Sequence, residues 1–144
     1  MYDKYFEEYE IGDYWRSRGR TITESDLVMF ASWSGDWFPL HTDKEWAKQT
    51  QYGQRIAHGM LVLSVSMGLT KLEPGRVIAY YGIDHLRFVR PTYIGDTLTV
   101  ELQVVGKQEK KDAGIIAADV SVLKQDGEPV LVATQKILIA KRPK

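Results

Sequence analysis

The chain has 144 residues, which predicts one domain (residues 1–144) large enough to bury a hydrophobic core without disulfide staples. Nineteen basic residues balance nineteen acidic ones, so there is no bulk attraction to nucleic acid or to anionic lipid, and neither is expected as a partner. The absence of cysteine excludes disulfides, thiolate nucleophiles and cysteine zinc sites. The opening "MYDKYFEEYE" has neither the basic nor the apolar region of a signal peptide, and no apolar run approaches the roughly 20 residues needed to cross a bilayer. A soluble cytoplasmic protein is the expectation.

In chain order, Asp13 to Arg20 reads as a short strand after the turn "IGD". Thr23 then fits an N-cap, with Glu24 and Asp26 in the first helical turn, where the helix dipole favours acids. Leu27, Phe30 and Ala31 fall at helical spacing, and Gly35 is placed to end the helix. Asp43 is a candidate cap for a second short helix, "KEWAKQT". The third helix, Gly59 to Leu69, is apolar nearly all round, which predicts burial. Ser64 and Gly68 share one of its faces, and small residues there let another element approach.

The second half alternates. "VIAYYGIDHLRFVRP" reads as one long strand bent at Gly82. Leu98, Val100, Leu102 and Val104 share one strand face, as do Ile116, Ala118, Val120 and Val122 on the next strand. "GKQEKKDAG" fits a charged hairpin tip. Asp126-Gly127 is a strong hairpin signal before the last strand, "VLVATQKILIA". Lys141 to Lys144 is a short basic tail. The expected fold class is α+β, a curved antiparallel sheet of about five strands wrapped around one long buried helix.

The stretch "SGDWFPLHTD" carries the candidate chemistry. Five positions separate Asp36 from His41. On a helix that is about 500° of turn, and on a strand an odd offset, so neither regular element aims the two side chains at one point. An irregular loop does, and Pro39 disfavours helix at Phe38. On spacing alone the plainer reading is favoured, with Asp36 and Asp43 as helix caps and His41 as a solvated loop residue. "IAHGMLVLS" changes the balance, because Gly59 opens a helix whose free N–H is a natural donor to an oxyanion. His58 reads as a residue that orders the helix start. Met60 and Met67 read as core, and His85 as structural.

Taken together, "FASWSGDWFPLHTD", "TQYGQRIAHGMLVLS" and "LRFVRPTYIGDTLTVELQV" resemble the MaoC-like, (R)-specific enoyl-CoA hydratase/dehydratase family of hot-dog fold, over nearly the whole chain. The resemblance implies a single hot-dog domain. It also implies a lyase that adds water to a trans-2-enoyl thioester, or removes it from an (R)-3-hydroxyacyl thioester. By position, Asp36 and His41 are the pair that holds the water, and Gly59 the donor to the thioester carbonyl. Ser64 and His58 are expected in support, and the second serine that some members use is either Ser66 or absent, at Met67. Trp37, Phe38 and Met60 are expected near the acyl group. Arg87 and Arg90 are candidates for the phosphates of the carrier, CoA or acyl carrier protein, or for two solvated charges. No metal and no cofactor beyond that carrier are expected, and a homodimer or a multiple of dimers is. Phe38 stands where the family usually has asparagine, which leaves the acyl group open. A hot-dog thioesterase and a non-catalytic acyl-thioester-binding subunit remain alternative readings.

Overall fold

The computed structural model describes residues 1–143; the last residue of the basic tail, Lys144, lies outside the described residues. Six strands form one antiparallel sheet: β1 (Tyr14–Arg16), β2 (Arg20–Thr21), β3 (Val77–Phe88), β4 (Thr97–Glu109), β5 (Ala113–Leu123) and β6 (Pro129–Ala140). The order is β1-β4-β5-β6-β3, with β2 also paired to β4. The one strand expected over residues 13–20 is thus two short pieces on the same neighbour.

Alternation places the core. Leu98, Val100, Leu102 and Val104 of β4 are buried, and so are Ile116, Ala118, Val120 and Val122 of β5. The register sets Leu102 opposite Val120 and Ile116 opposite Ile137, so apolar side chains meet across neighbouring strands. The β5–β6 hairpin turns at Asp126-Gly127, with Gly127 at a φ of 84° and Lys124 N–H donating to Glu128 O at 2.9 Å. The β4–β5 connection is shorter than the charged stretch implied, because both strands extend into it and leave only residues 110–112 as the turn.

Helix α1 (Glu24–Ser34) has the caps its sequence announces. Thr23 Oγ1 accepts the Asp26 N–H, Asp26 accepts the Thr23 N–H in return, and Gly35 ends the helix at a φ of 80°, where a side chain would be strained. Helix α2 (Pro39–Thr42) was expected as loop. Proline lacks an N–H that the first helical turn leaves unused anyway, so Pro39 starts this helix instead of preventing it. Helix α3 (Lys44–Ala47) is capped by Asp43, which accepts the Glu45 and Trp46 N–H groups at 3.0 Å.

Helix α4 (Gly59–Leu69) has the expected bounds and packs Leu61, Val62, Val65 and Leu69 into the core. It is not buried all round. Met60, Ser64 and Gly68 form an open face. Strand β3 is open in the same way: among the described residues β6 is the only strand it pairs with, so its other edge carries no strand, and Ile78, Tyr80, Tyr81 and Phe88 are exposed. Its register slips at three places, one of them across Tyr80/Gly82 where the bend was expected, another across His85, which sits exposed at a φ of 55°. Among the described residues no helix is long and apolar enough to cross a membrane.

Candidate active site

The site forms where the α1–α2 connection meets the start of α4. After Gly35 the chain makes a tight polar turn in which Asp36 Oδ1 accepts the Phe38 N–H at 3.2 Å. Thr42 Oγ1 closes the far side, donating to the carbonyls of Trp37 and Phe38 at 2.9 and 3.1 Å. Helix α2 then carries His41 back toward residues 56–58. That segment is itself pinned, by Ile56 N–H to Leu40 O at 3.2 Å and Ala57 N–H to Thr92 O at 2.7 Å.

His41 Nδ1 lies 2.8 Å from Ile56 O. A carbonyl only accepts, so Nδ1 carries the proton and Nε2 keeps a free lone pair, the form a general base needs. His58 Nε2 lies 3.0 Å from the backbone carbonyl of Asp36, so His58 holds its proton on Nε2 and leaves Nδ1 bare. Among the described residues that Nδ1 is buried without a partner. The two imidazoles stack with centroids 4.0 Å apart and planes 27° apart. Burial pushes the His58 pKa down and the facing His41 adds to this, while the bond to the Asp36 carbonyl and the Asp36 charge oppose it.

Asp36, His41 and His58 each place one donor atom within 4.8 Å of the others. An O, N, N set is of a kind that a divalent transition metal accepts. The stacking disfavours it: imidazoles 27° from parallel send their in-plane lone pairs side by side instead of converging. The spacing suits one water, which needs two to four polar partners.

A cleft of about 170 Å³ opens beside the pair, lined by His41 and Gly59 with Tyr52, Ile56, Ala57, Val62, Phe88, Arg90, Pro91, Thr92 and Val130. That volume is close to the roughly 150 Å³ of a cavity that holds benzene, so it takes a few carbon atoms. Gly59 is the first residue of α4, so its N–H has no carbonyl four residues back within the helix. The Phe88 ring lies against it, and a Cβ at Gly59 would come within 2.8 Å of that ring.

Asp36, His41, Gly59 and His58 thus come together. The other expected residues do not all join them. Ser64 Oγ donates to Met60 O of its own helix and sits on the open face of α4, beside Arg18 and Arg20. Ser66 is buried and bonds Leu63 O. Met60, expected near the acyl group and otherwise as core, is 53% exposed and outside the cleft lining. Trp37 is exposed in the turn, and Phe38 packs edge-on against His41 and Trp46; neither is part of the cleft lining. Arg90 lines the cleft, held by Pro129 O at 3.1 Å and Glu128 at 2.9 Å, whereas Arg87 bonds the carbonyl of Leu86 and is not part of the lining. Tyr52, Phe88 and Thr92 were missed. One signal was available: Phe88 and Arg90 are two apart on an extended chain and share a face, which separates Arg90 from Arg87.

The sheet and the helix packed on it define a hot-dog protein, with an Asp–His pair at the start of that helix. A family model described as MaoC like domain matches residues 8–125, and the chain belongs to that family. It is similar to an (R)-specific enoyl-CoA hydratase of Rhodospirillum rubrum, 38% identical over 110 residues that cover 74% of each chain. It is 43% identical over 110 residues to protein MaoC of Klebsiella aerogenes, covering 74% of this chain but only 32% of that longer protein. Among solved structures it superposes on a monoamine oxidase regulatory protein from Archaeoglobus with a TM-score of 0.91 at 42% identity, covering 97% of this chain and 96% of that one.

Proposed function

We propose that this protein is a hydro-lyase that adds water across the double bond of a trans-2-enoyl thioester, or removes it from the (R)-3-hydroxyacyl thioester. The observation that carries this reading is an Asp36 carboxylate oxygen within 4.8 Å of a His41 ring nitrogen, with His41 and the first residue of α4, Gly59, lining one cleft. The relatives named as hydratases and dehydratases support it. A water held between Asp36 and His41 bonds through oxygen to Cβ while the pair takes up its proton. The electron pair of the C=C bond moves onto the thioester oxygen, where the Gly59 N–H meets the new charge. A proton from the pair then forms the Cα–H bond, and one water has been added. These steps need no metal. The carrier is CoA or acyl carrier protein, and Arg90, at the cleft, is better placed than Arg87 to meet its phosphates. The cleft volume favours a short acyl group.

The free edge of β3, with its exposed Ile78, Tyr80 and Tyr81, supports a homodimer in which β3 pairs with its copy. A monomeric mass by light scattering at micromolar concentration would remove this part of the proposal.

The test is loss of enoyl absorbance when purified protein meets a panel of enoyl-CoA substrates. Turnover by wild type and its loss in Asp36→Asn supports the reading; an inert wild type sinks it. A second reading, a non-catalytic acyl-thioester-binding subunit, draws on the regulatory name of the Archaeoglobus neighbour and on Phe38 in place of the usual asparagine. Tight thioester binding without turnover would select it.

A further inference from the structure

We propose that His58 is a positioning residue, a buried clamp that ties the Asp36 turn and the His41 ring to the start of α4. This rests on the hydration reading and deepens it.

Three contacts converge on this one side chain and its backbone. Its Nε2–H donates to the Asp36 carbonyl at 3.0 Å. Its ring face lies on His41, with centroids 4.0 Å apart. Its own carbonyl accepts the Val62 N–H at 3.1 Å, so it is also the residue from which α4, and with it the Gly59 amide, begins. Asp36, His41 and Gly59 lie on separate segments, and His58 touches or adjoins all three.

The Asp36 turn needs such a tether. Among the described residues, every other hydrogen bond made by residues 35–38 spans five positions or fewer, as in Thr42 to Trp37. Local bonds shape the turn but do not locate it against the rest of the protein. The bond from His58 spans 22 positions. Asp36, Trp37 and Phe38 are exposed, so packing does little to replace it. His58 is 2% exposed, wedged between His41 and the Phe30 ring at 4.9 Å, and so has little freedom to turn away.

The clamp works in one protonation state. Neutral His58 with its proton on Nε2 donates to Asp36 and leaves Nδ1 bare, a mild cost. A second proton would place a buried N–H with no acceptor beside His41.

Two substitutions separate the bond from the ring. His58→Phe keeps a ring on His41 and removes the donor. His58→Gln keeps an N–H at similar reach and removes the ring. We expect His58→Phe to lower kcat by roughly 10²-fold, the scale of a 1 Å misplacement, with KM within about threefold of wild type. His58→Gln should recover kcat to within about tenfold of wild type. A wild-type kcat in His58→Phe, a loss carried by KM alone, or equal losses in both variants overturns the clamp. Any of these leaves the hydration reading standing so long as Asp36→Asn is inactive.

Two readouts do not depend on turnover. Amide hydrogen exchange at residues 37 and 38 should quicken in His58→Phe and less so in His58→Gln. Imidazole ¹⁵N shifts of the wild type at pH 7 should show His58 neutral with the proton on Nε2. A charged His58, or one protonated on Nδ1 alone, overturns the inference even if His58→Phe does not fold and even if no enoyl thioester is hydrated.

Discussion

Strand β5 is bonded along both edges, to β4 and to β6, over nearly its whole length, and its inward residues are buried. Residues 35–43, which carry Asp36 and His41, are mostly exposed and reach the rest of the protein through few long bonds. Those bonds come from residues 56–58: His58 to Asp36 O, Ile56 N–H to Leu40 O, and His41 to Ile56 O. One region is over-determined, so that removing one contact leaves many others. The other is determined by a handful of named contacts. Stability and activity should therefore respond to different substitutions.

The largest effect should fall on activity alone. Asp36→Asn and His41→Ala should each lower kcat/KM by about 10²- to 10⁴-fold, the range of acid–base contributions. Both groups are at least partly exposed, so melting temperature should stay within a few degrees. A variant that melts early would mean that the site half supports the fold, and the contrast between the regions would fail. Leu102→Ala tests the other side. Leu102 is fully buried opposite Val120, and its loss should cost about 2–5 kcal/mol in urea unfolding while the folded fraction keeps its turnover number.

How much of each region could be read in the sequence follows the same division. The alternation of β4 and β5, the bounds of α4, the Thr23 and Gly35 caps and the Asp126-Gly127 turn are local signals, and each appears where its residues put it. Asp36, His41 and Gly59 were legible because two motifs carried them. What escaped needed contacts between segments. The stretch from Asp36 to His41 read as irregular loop, yet Pro39 opens a short helix there, with Phe38 left outside it. The apolar α4 read as wholly buried, yet Met60, Ser64 and Gly68 face outward, since periodicity in one chain does not say whether a face meets the core or another surface. The cleft draws its walls from residue 41, residues 52–62 and 88–92, and residue 130, a set no spacing rule collects. The bond from His58 to Asp36 spans 22 residues and left no local mark.

Gly59 lies between the two regions, opening the core helix α4 and lining the cleft, and its substitution should have an intermediate effect. In Gly59→Ala the new Cβ would meet the Phe88 ring at 2.8 Å, so either the ring or the start of α4 must move. A displaced oxyanion donor predicts a loss of roughly 10²-fold in kcat. Phe88→Ala in the same chain should restore part of it, with a coupling of about 0.5–3 kcal/mol in the double-mutant cycle. Strict additivity would show that the two residues do not clash in solution. A smaller cost is expected at Thr23→Ala, about 1 kcal/mol of stability for a lost cap, with turnover unchanged because the cap lies at the far end of α1 from Asp36.

The last expected effect joins the two regions through pH. His58 has a folded pKa below its unfolded one, because burial disfavours its charged form. The unfolded chain therefore binds a proton that the folded chain refuses as the pH falls below about 6.5. The stability tied to neutral His58 is complete above that value and is lost progressively as the pH drops toward the folded pKa. The ionisable groups facing the ring are His41, whose charge deepens the depression, and Asp36, whose carboxylate opposes it. Differential scanning calorimetry from pH 7.5 to 5 should show the wild type losing stability faster than His58→Gln, which has no group to titrate there. Parallel curves would mean that His58 is charged or hydrated in the folded protein, and the few contacts that hold the Asp36 turn would have to be found elsewhere.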